Sequence, residues 1–179
     1  METETMAQAI GIVAMAFNIL SYQGKKQSTV IALQLIGGAL FAVNFLMIGA
    51  AIGGILNGIA FVRAIIFLNK KKLKADNKWW LAGFTVVYFA VYVLSFTVFG
   101  TKPTAFNFVI ELLPVAGMVA TNIGFMMKQA SDVRKCGLVS SPTWLTYNIV
   151  VGSYGAIICE SVTLVSIFVG MLRHDRKKQ

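Results

Sequence analysis

Of the seven acidic residues in this chain, only Glu111 and Glu160 fall inside apolar stretches. An ionised carboxylate at that depth costs about 3 kcal/mol unless it is paired, solvated or protonated, so each is expected to face protein or water. Two such groups could bind a cation, exchange a proton during a transport cycle, or act as an acid dyad if their carboxyls met within hydrogen-bonding reach. The single histidine, His174, lies in the C-terminal basic segment. Ser–His, Cys–His and His-metal chemistry therefore lack an imidazole in the apolar stretches, and neither an enzyme nor a metal or other cofactor is expected. Cys136 and Cys159 fall too far apart along the expected helices to form a disulfide and read as small buried hydrophobes.

The elements that must position these carboxylates are membrane spans. The chain is 57% hydrophobic and only 13% charged, and its apolar runs recur at about the 20-residue length that crosses a hydrocarbon core. They read as 7–23, 29–48, 51–69, 79–99, 105–127, 137–152 and 154–172. Of the fifteen Lys and Arg residues outside them, fourteen sit on alternate connections. These are Lys25 and Lys26, the run from Lys70 to Lys78, Lys128 with Arg134 and Lys135, and the tail from Arg173; Lys102 alone is on the other side. Basic loops stay cytoplasmic, so the N-terminus is expected outside, the C-terminus inside, and the number of spans odd. The first span follows Glu2 and Glu4 rather than a basic stretch, so it reads as a helix and not as a cleaved signal. The net charge of +9 is scattered over four short segments; it fits a rim on anionic lipid and argues against nucleic-acid binding.

The seven spans repeat. Sliding the sequence by 103 positions lays Lys25 on Lys128, Ser28 on Ser131, Leu35 on Leu138 and Gly49 on Gly152. It also aligns two tight outer turns, Gly49-Ala50-Ala51 and Gly152-Ser153-Tyr154. The expected fold is an all-α membrane domain over 1–179: a three-helix repeat at 7–69, a linker helix at 79–99 and a second repeat at 105–172. Three spans would invert the second repeat, and the linker helix restores it, so the repeats run parallel about an axis along the membrane normal. Parallel repeats with a central site are a known transporter plan. The third helix of each repeat carries a polar residue at one depth, Asn57 and then Glu160, roughly 9 Å below the outer surface. Sixteen positions earlier stand Phe41 and Trp144, at about 12 Å. Glu111 falls in the same layer, at about 10 Å, and Asn44, Asn148 and Gln8 lie slightly further out.

The aromatic-then-polar spacing of Phe41 with Asn57, and of Trp144 with Glu160, resembles the SWEET sugar transporters and their bacterial half-length relatives. The resemblance implies that these four residues line a pocket between the halves. No Pro-Gln pair ends the first or fifth helix, where SYQGKKQS and FMMKQASD stand, so that family's proline hinges do not carry over. A closer resemblance is to the YgjV-like bacterial inner membrane proteins, grouped with the SWEET-like (PQ-loop-like) fold. It rests on KKQS at 25–28, ILNGI at 55–59, ELLPVAG at 111–117 and TWLTYNIVVGSYGAIICES at 143–161. It implies an inner-membrane location and no particular substrate.

Each candidate also has a plainer role. Glu160, Asn57 and Asn148 could be interhelical hydrogen-bond partners, and Glu111 could bond a carbonyl freed by Pro114. Arg63 lies close enough to the cytoplasmic end of its helix to snorkel to the headgroups. Trp79, Trp80, Tyr22, Tyr147 and Tyr154 read as interface anchors, Gly37-Gly38 and the glycines of 49–54 as close-packing points, and Lys70–Lys74 as a solvated loop. Two classes follow: a transporter or facilitator of a small polar solute, sugar-like or amine-bearing, and a scaffold, receptor or subunit that keeps the fold without transport. The first requires a cavity holding Asn57 and Glu160; the second requires both to be tightly packed. An intramembrane hydrolase is the third. The lipid bilayer is the one partner the composition implies, and homo-oligomer formation is left open.

Overall fold

The computed structural model describes residues 2–47, 51–151 and 154–175. These form seven long helices and one single-turn helix: α1 Glu2–Ser21, α2 Gln27–Met47, α3 Ala51–Leu68, α4 Lys70–Leu73, α5 Lys78–Thr97, α6 Ala105–Met126, α7 Ala130–Val151 and α8 Tyr154–His174. The expected outer turns fall on 48–50 and 152–153, outside the described residues, as do the basic positions 176–178.

Four helices are long and apolar enough to cross a membrane: α2, α5, α6 and the 156–174 part of α8; described parts of α1 and α3 are apolar but shorter. Val86, Val93, Val165 and Phe168 are each more than half exposed, as lipid-facing side chains are. α7 is long enough but too polar to count with them, and it begins at Ala130, seven residues before the expected 137. Hydropathy reads Ser131–Lys135 as loop, yet a helix tolerates this run beyond the apolar slab. Asp132 lies in the first turn, where the helix dipole favours an acid, and it faces Lys135 at 3.9 Å. The expected solvated loop at Lys70–Lys74 is also partly ordered, as α4, which ends with Lys74 in the left-handed conformation at φ 48°.

Neighbouring helices pack within each half, α1 and α3 both against α2, α6 and α8 both against α7. Between halves, α1 meets α8, α2 meets α7 and α3 meets α6. α5 covers the α3–α6 junction, and the apolar core lies there: Phe67 stacks on Phe84 and meets Phe125 edge-on, and Tyr88 is fully buried. Close packing within the first half needs Gly37, whose absent Cβ would stand 3.1 Å from the Ala14 carbonyl of α1.

Hydrogen bonds gather the basic connections at one end of the bundle. Lys70 Nζ donates to Gln27 Oε1 and to the Met127 carbonyl, while Gln27 Nε2 donates to the carbonyls of Gly124, Phe125 and Met127. Burial there pushes the Lys70 ammonium below the ordinary lysine value, and the nearby Lys128 acts in the same direction. Lys102 lies at the opposite end, where its carbonyl caps the Asn107 side chain.

Candidate functional site

A cavity of about 890 Å³ runs between the halves, walled by α1, α2, α3, α6, α7 and α8. On α3 the wall is Leu56, Asn57, Ala60, Arg63 and Ala64, the three- and four-residue steps of one helix face. On α8 Ala156, Cys159, Glu160 and Thr163 follow the same periodicity, with Ile158 at the edge of that face. Of the residues singled out from sequence, Phe41, Asn44, Asn57, Trp144, Asn148 and Glu160 all line this cavity, and Gln8 stands at its outer part.

The packing that places them is specific. The Asn44 amide donates to the Ala7 carbonyl at 2.7 Å, tying α2 to α1. Gly117 of α6 lets Trp144 come close, since a Cβ there would sit 2.9 Å from the indole Nε1 and 2.7 Å from Thr143 Oγ1. Trp144 then meets Tyr147 at right angles, with ring centroids 6.1 Å apart. Glu160 takes a hydrogen bond from the Ser141 side chain across the α7–α8 contact. Thr121 Oγ1 and Ser140 Oγ lie 3.0 Å apart, adding a hydroxyl pair to the wall from α6 and α7.

Glu111 is not among the lining residues. It is half-buried on α6, within electrostatic reach of Tyr147, and at its level Tyr147 and Asn148 of α7 form the cavity wall. Glu111 and Glu160 share no hydrogen bond among the described residues, so the acid-dyad geometry is not assembled.

Arg63 corrects the snorkelling expectation. It is 5% exposed and turned into the protein, with Nη1 donating to Tyr88 Oη at 3.2 Å and to the Met118 carbonyl at 3.3 Å. Its guanidinium carbon lies 5.1 Å from the centre of the Phe125 ring, a cation–π distance. The long side chain made both destinations compatible with its sequence position; its register with Asn57 and Ala60 was the available signal. Tyr22 and Tyr147 likewise line the cavity instead of anchoring at the interface. Trp79 is the expected anchor that points fully outward, at 81% exposure, and the Tyr154 side chain lies outside what the structure describes. Cys159 lines the cavity as well, and both cysteines are free thiols.

Below the cavity, the basic end is stitched shut between halves. Arg134 Nη1 donates to the carbonyls of Tyr22 (3.2 Å) and Gly24 (3.0 Å), while Nε and Nη2 bind the two oxygens of Asp175. Gln23 Nε2 donates to the carbonyl and hydroxyl of Ser166, whose own hydroxyl donates to the Ile19 carbonyl. His174 Nε2 stands 3.0 Å from the Gln23 carbonyl. These bonds between the halves cluster at the basic end.

A family model described as Bacterial inner membrane protein, Imp-YgjV, matches residues 5–178. The chain belongs to this family. With its apolar helices, that makes it a multi-pass protein of the bacterial inner membrane. No curated protein and no solved structure matches it.

Proposed function

We propose that this protein is a non-enzymatic transporter or facilitator that carries a small polar solute through the cavity between two parallel three-helix repeats, joined 3+1+3 by α5 as in the SWEET-like plan. The observation that carries the reading is the register of the cavity wall. The 103-position shift takes Met15 to Met118, Tyr22 to Phe125, Phe41 to Trp144, Phe45 to Asn148, Asn57 to Glu160 and Ala60 to Thr163, and every one of these residues lines the cavity. The contacts of α1 with α8 and of α3 with α6 are the ones a rotation exchanging the repeats would interconvert. A wall built twice by one chain supports a central site, and a volume of about 890 Å³ is within the usual range for small-molecule pockets.

The second reading, a scaffold that retains the fold, calls for packed polar residues, and a cavity of this size with Asn57 and Glu160 on its wall favours transport over it. The test is uptake into liposomes reconstituted with the purified protein, screened over radiolabelled sugars, amines and amino acids. Uptake of at least one solute, falling tenfold or more in Glu160→Gln while the variant remains monodisperse, is the expected result. Absence of uptake of any class, with the protein folded and inserted, would leave the scaffold reading.

A further inference from the structure

Among the described residues of the cavity wall, one is basic and one is acidic, Arg63 and Glu160. They come from different halves and form no ion pair with each other; the ion pairs among the described residues are Arg134–Asp175 and Asp132–Lys135. Both line the same cavity, Arg63 from α3 and Glu160 from α8. Among the described residues, the hydrogen bonds and ring contact of Arg63 are with neutral groups: the Tyr88 hydroxyl, the carbonyl and sulfur of Met118, and the face of Phe125. Its Nε is buried with no acceptor among the described residues. Glu160 is held by a neutral hydroxyl, Ser141.

A guanidinium in low dielectric without a counter-anion is costly, and so is a carboxylate without a counter-cation. The two formal charges cancel over the cavity as a whole, but neither is paired locally. A monocation would satisfy Glu160 and meet Arg63 as a like charge. A monoanion would do the reverse, and a sugar would bring no charge to either. One ligand chemistry answers both groups at once.

We propose that the cavity binds a small zwitterion, its carboxylate against the Arg63 guanidinium and its ammonium against the Glu160 carboxylate. A guanidinium fork is the side chain best matched to a carboxylate, and Arg63 reaches the cavity wall with no acidic partner of its own among the described residues. The aromatic wall formed by Phe41 and Trp144 supplies an apolar surface for the rest of the ligand. Arg63 and Glu160 then act as a two-point ruler, and a ligand lacking either charge leaves one buried group uncompensated. This rests on the reading of the cavity as a solute site and narrows the solute to an amino-acid-like class.

The test is binding to the purified, membrane-solubilised protein by calorimetric titration. The panel is L-amino acids, dipeptides and glycine betaine, each amino acid accompanied by its decarboxylated amine and its deaminated acid, with glucose as the neutral control. At least one zwitterion should bind tenfold or more tightly than both of its single-charge analogues and than glucose. In Arg63→Gln its affinity should fall to that of the amine, and in Glu160→Gln to that of the acid. Should Arg63→Gln fail to fold after losing its bonds to Met118 and Tyr88, Arg63→Lys keeps a cation without the fork and should still lose tenfold, and the analogue series on the unmodified protein needs no variant. Failure of every zwitterion to bind, or equal binding of a single-charge analogue or of glucose, overturns the proposal. Uptake into liposomes is read separately: zwitterion binding without uptake overturns transport alone, and uptake confined to sugars or amines overturns the zwitterion alone.

Discussion

Arg134 is 2% exposed, and all of its acceptors lie on other elements: two carbonyls after α1 and the Asp175 carboxylate after α8. Replacing it with Met keeps much of the side-chain volume but leaves those carbonyls and the carboxylate without their donor. Arg134→Met should therefore lower stability by about 3 kcal/mol, the usual cost of breaking a buried pair from one side. Urea unfolding in a single detergent would measure it, and a loss below about 1 kcal/mol would show that water replaces the guanidinium. The sequence made Glu160, Asn57, Asn44 and Asn148 visible because a polar group in an apolar run carries an energetic cost that needs a partner. The same logic pointed to Glu111, which has the right depth but lies off the cavity wall. Depth follows from residue counting, whereas facing depends on how α6 meets α7, which counting does not give. Arg63 was misplaced for a related reason. A side chain with so long a stem can reach water or the interior from one backbone position, and packing against Tyr88 and Phe125 decides between them.

At the scale of elements, the apolar runs located all seven long helices, and α3 and α5 begin within a residue or so of their expected starts. The errors lay in α1, which begins at Glu2 rather than at the expected 7, and in α7, where a polar run was read as a loop. Hydropathy marks the slab and not the helix, and α7 extends past the slab because Asp132, Arg134 and Lys135 find partners there. Close seams between elements give a paired prediction. At Gly170 of α8 a Cβ would come within 2.3 Å of the Tyr22 carbonyl and 3.0 Å of Arg134 Cδ, so Gly170→Ala must push α8 away from the end of α1. At Gly83 of α5 nothing lies within 4 Å. Gly170→Ala should unfold at a markedly lower temperature than the parent, whereas Gly83→Ala should match it or gain up to about 1 kcal/mol from helix propensity. Equal effects at the two sites would mean that the α1–α8 seam can relax.

For the whole molecule, the basic connections that the charge pattern assigns to the cytoplasm converge on one end, through Lys70, Gln27, Arg134 and Gln23. Alkaline phosphatase fused after Lys178 should remain inactive, and a fusion at Lys102 should be active. Activity of the C-terminal fusion would overturn both the orientation and the odd count of spans. The 103-position offset read from the sequence also relates cavity-wall residues to one another, including pairs such as Tyr22 and Phe125 that their chemistry alone does not suggest. What the offset could not reveal is the seam between halves at the basic end, because its residues do not follow the offset. The shift would place Ser166 where Arg63 stands in the first half, and the two do different things: one closes the seam, the other faces the cavity.

That seam also has a direction in time. Arg134 and its carboxylate partner are 41 residues apart, and the carboxylate is made after all eight described helices. While the chain is still on the ribosome, α1 through α7 can be inserted with Arg134 already at the carbonyls of Tyr22 and Gly24, yet its charge stays unmatched until Asp175 emerges. The carboxylate that follows α8 is thus a quality check on the helices inserted before it. A chain stopped after Leu172 would keep nearly all of α8 and lose Arg173, His174 and Asp175. It should insert but accumulate to a few-fold lower level than the full chain, with the difference abolished when membrane proteases are removed. Membrane blots of the two forms, in strains with and without those proteases, would read this directly, and equal accumulation in both strains would show that surveillance ignores the open seam.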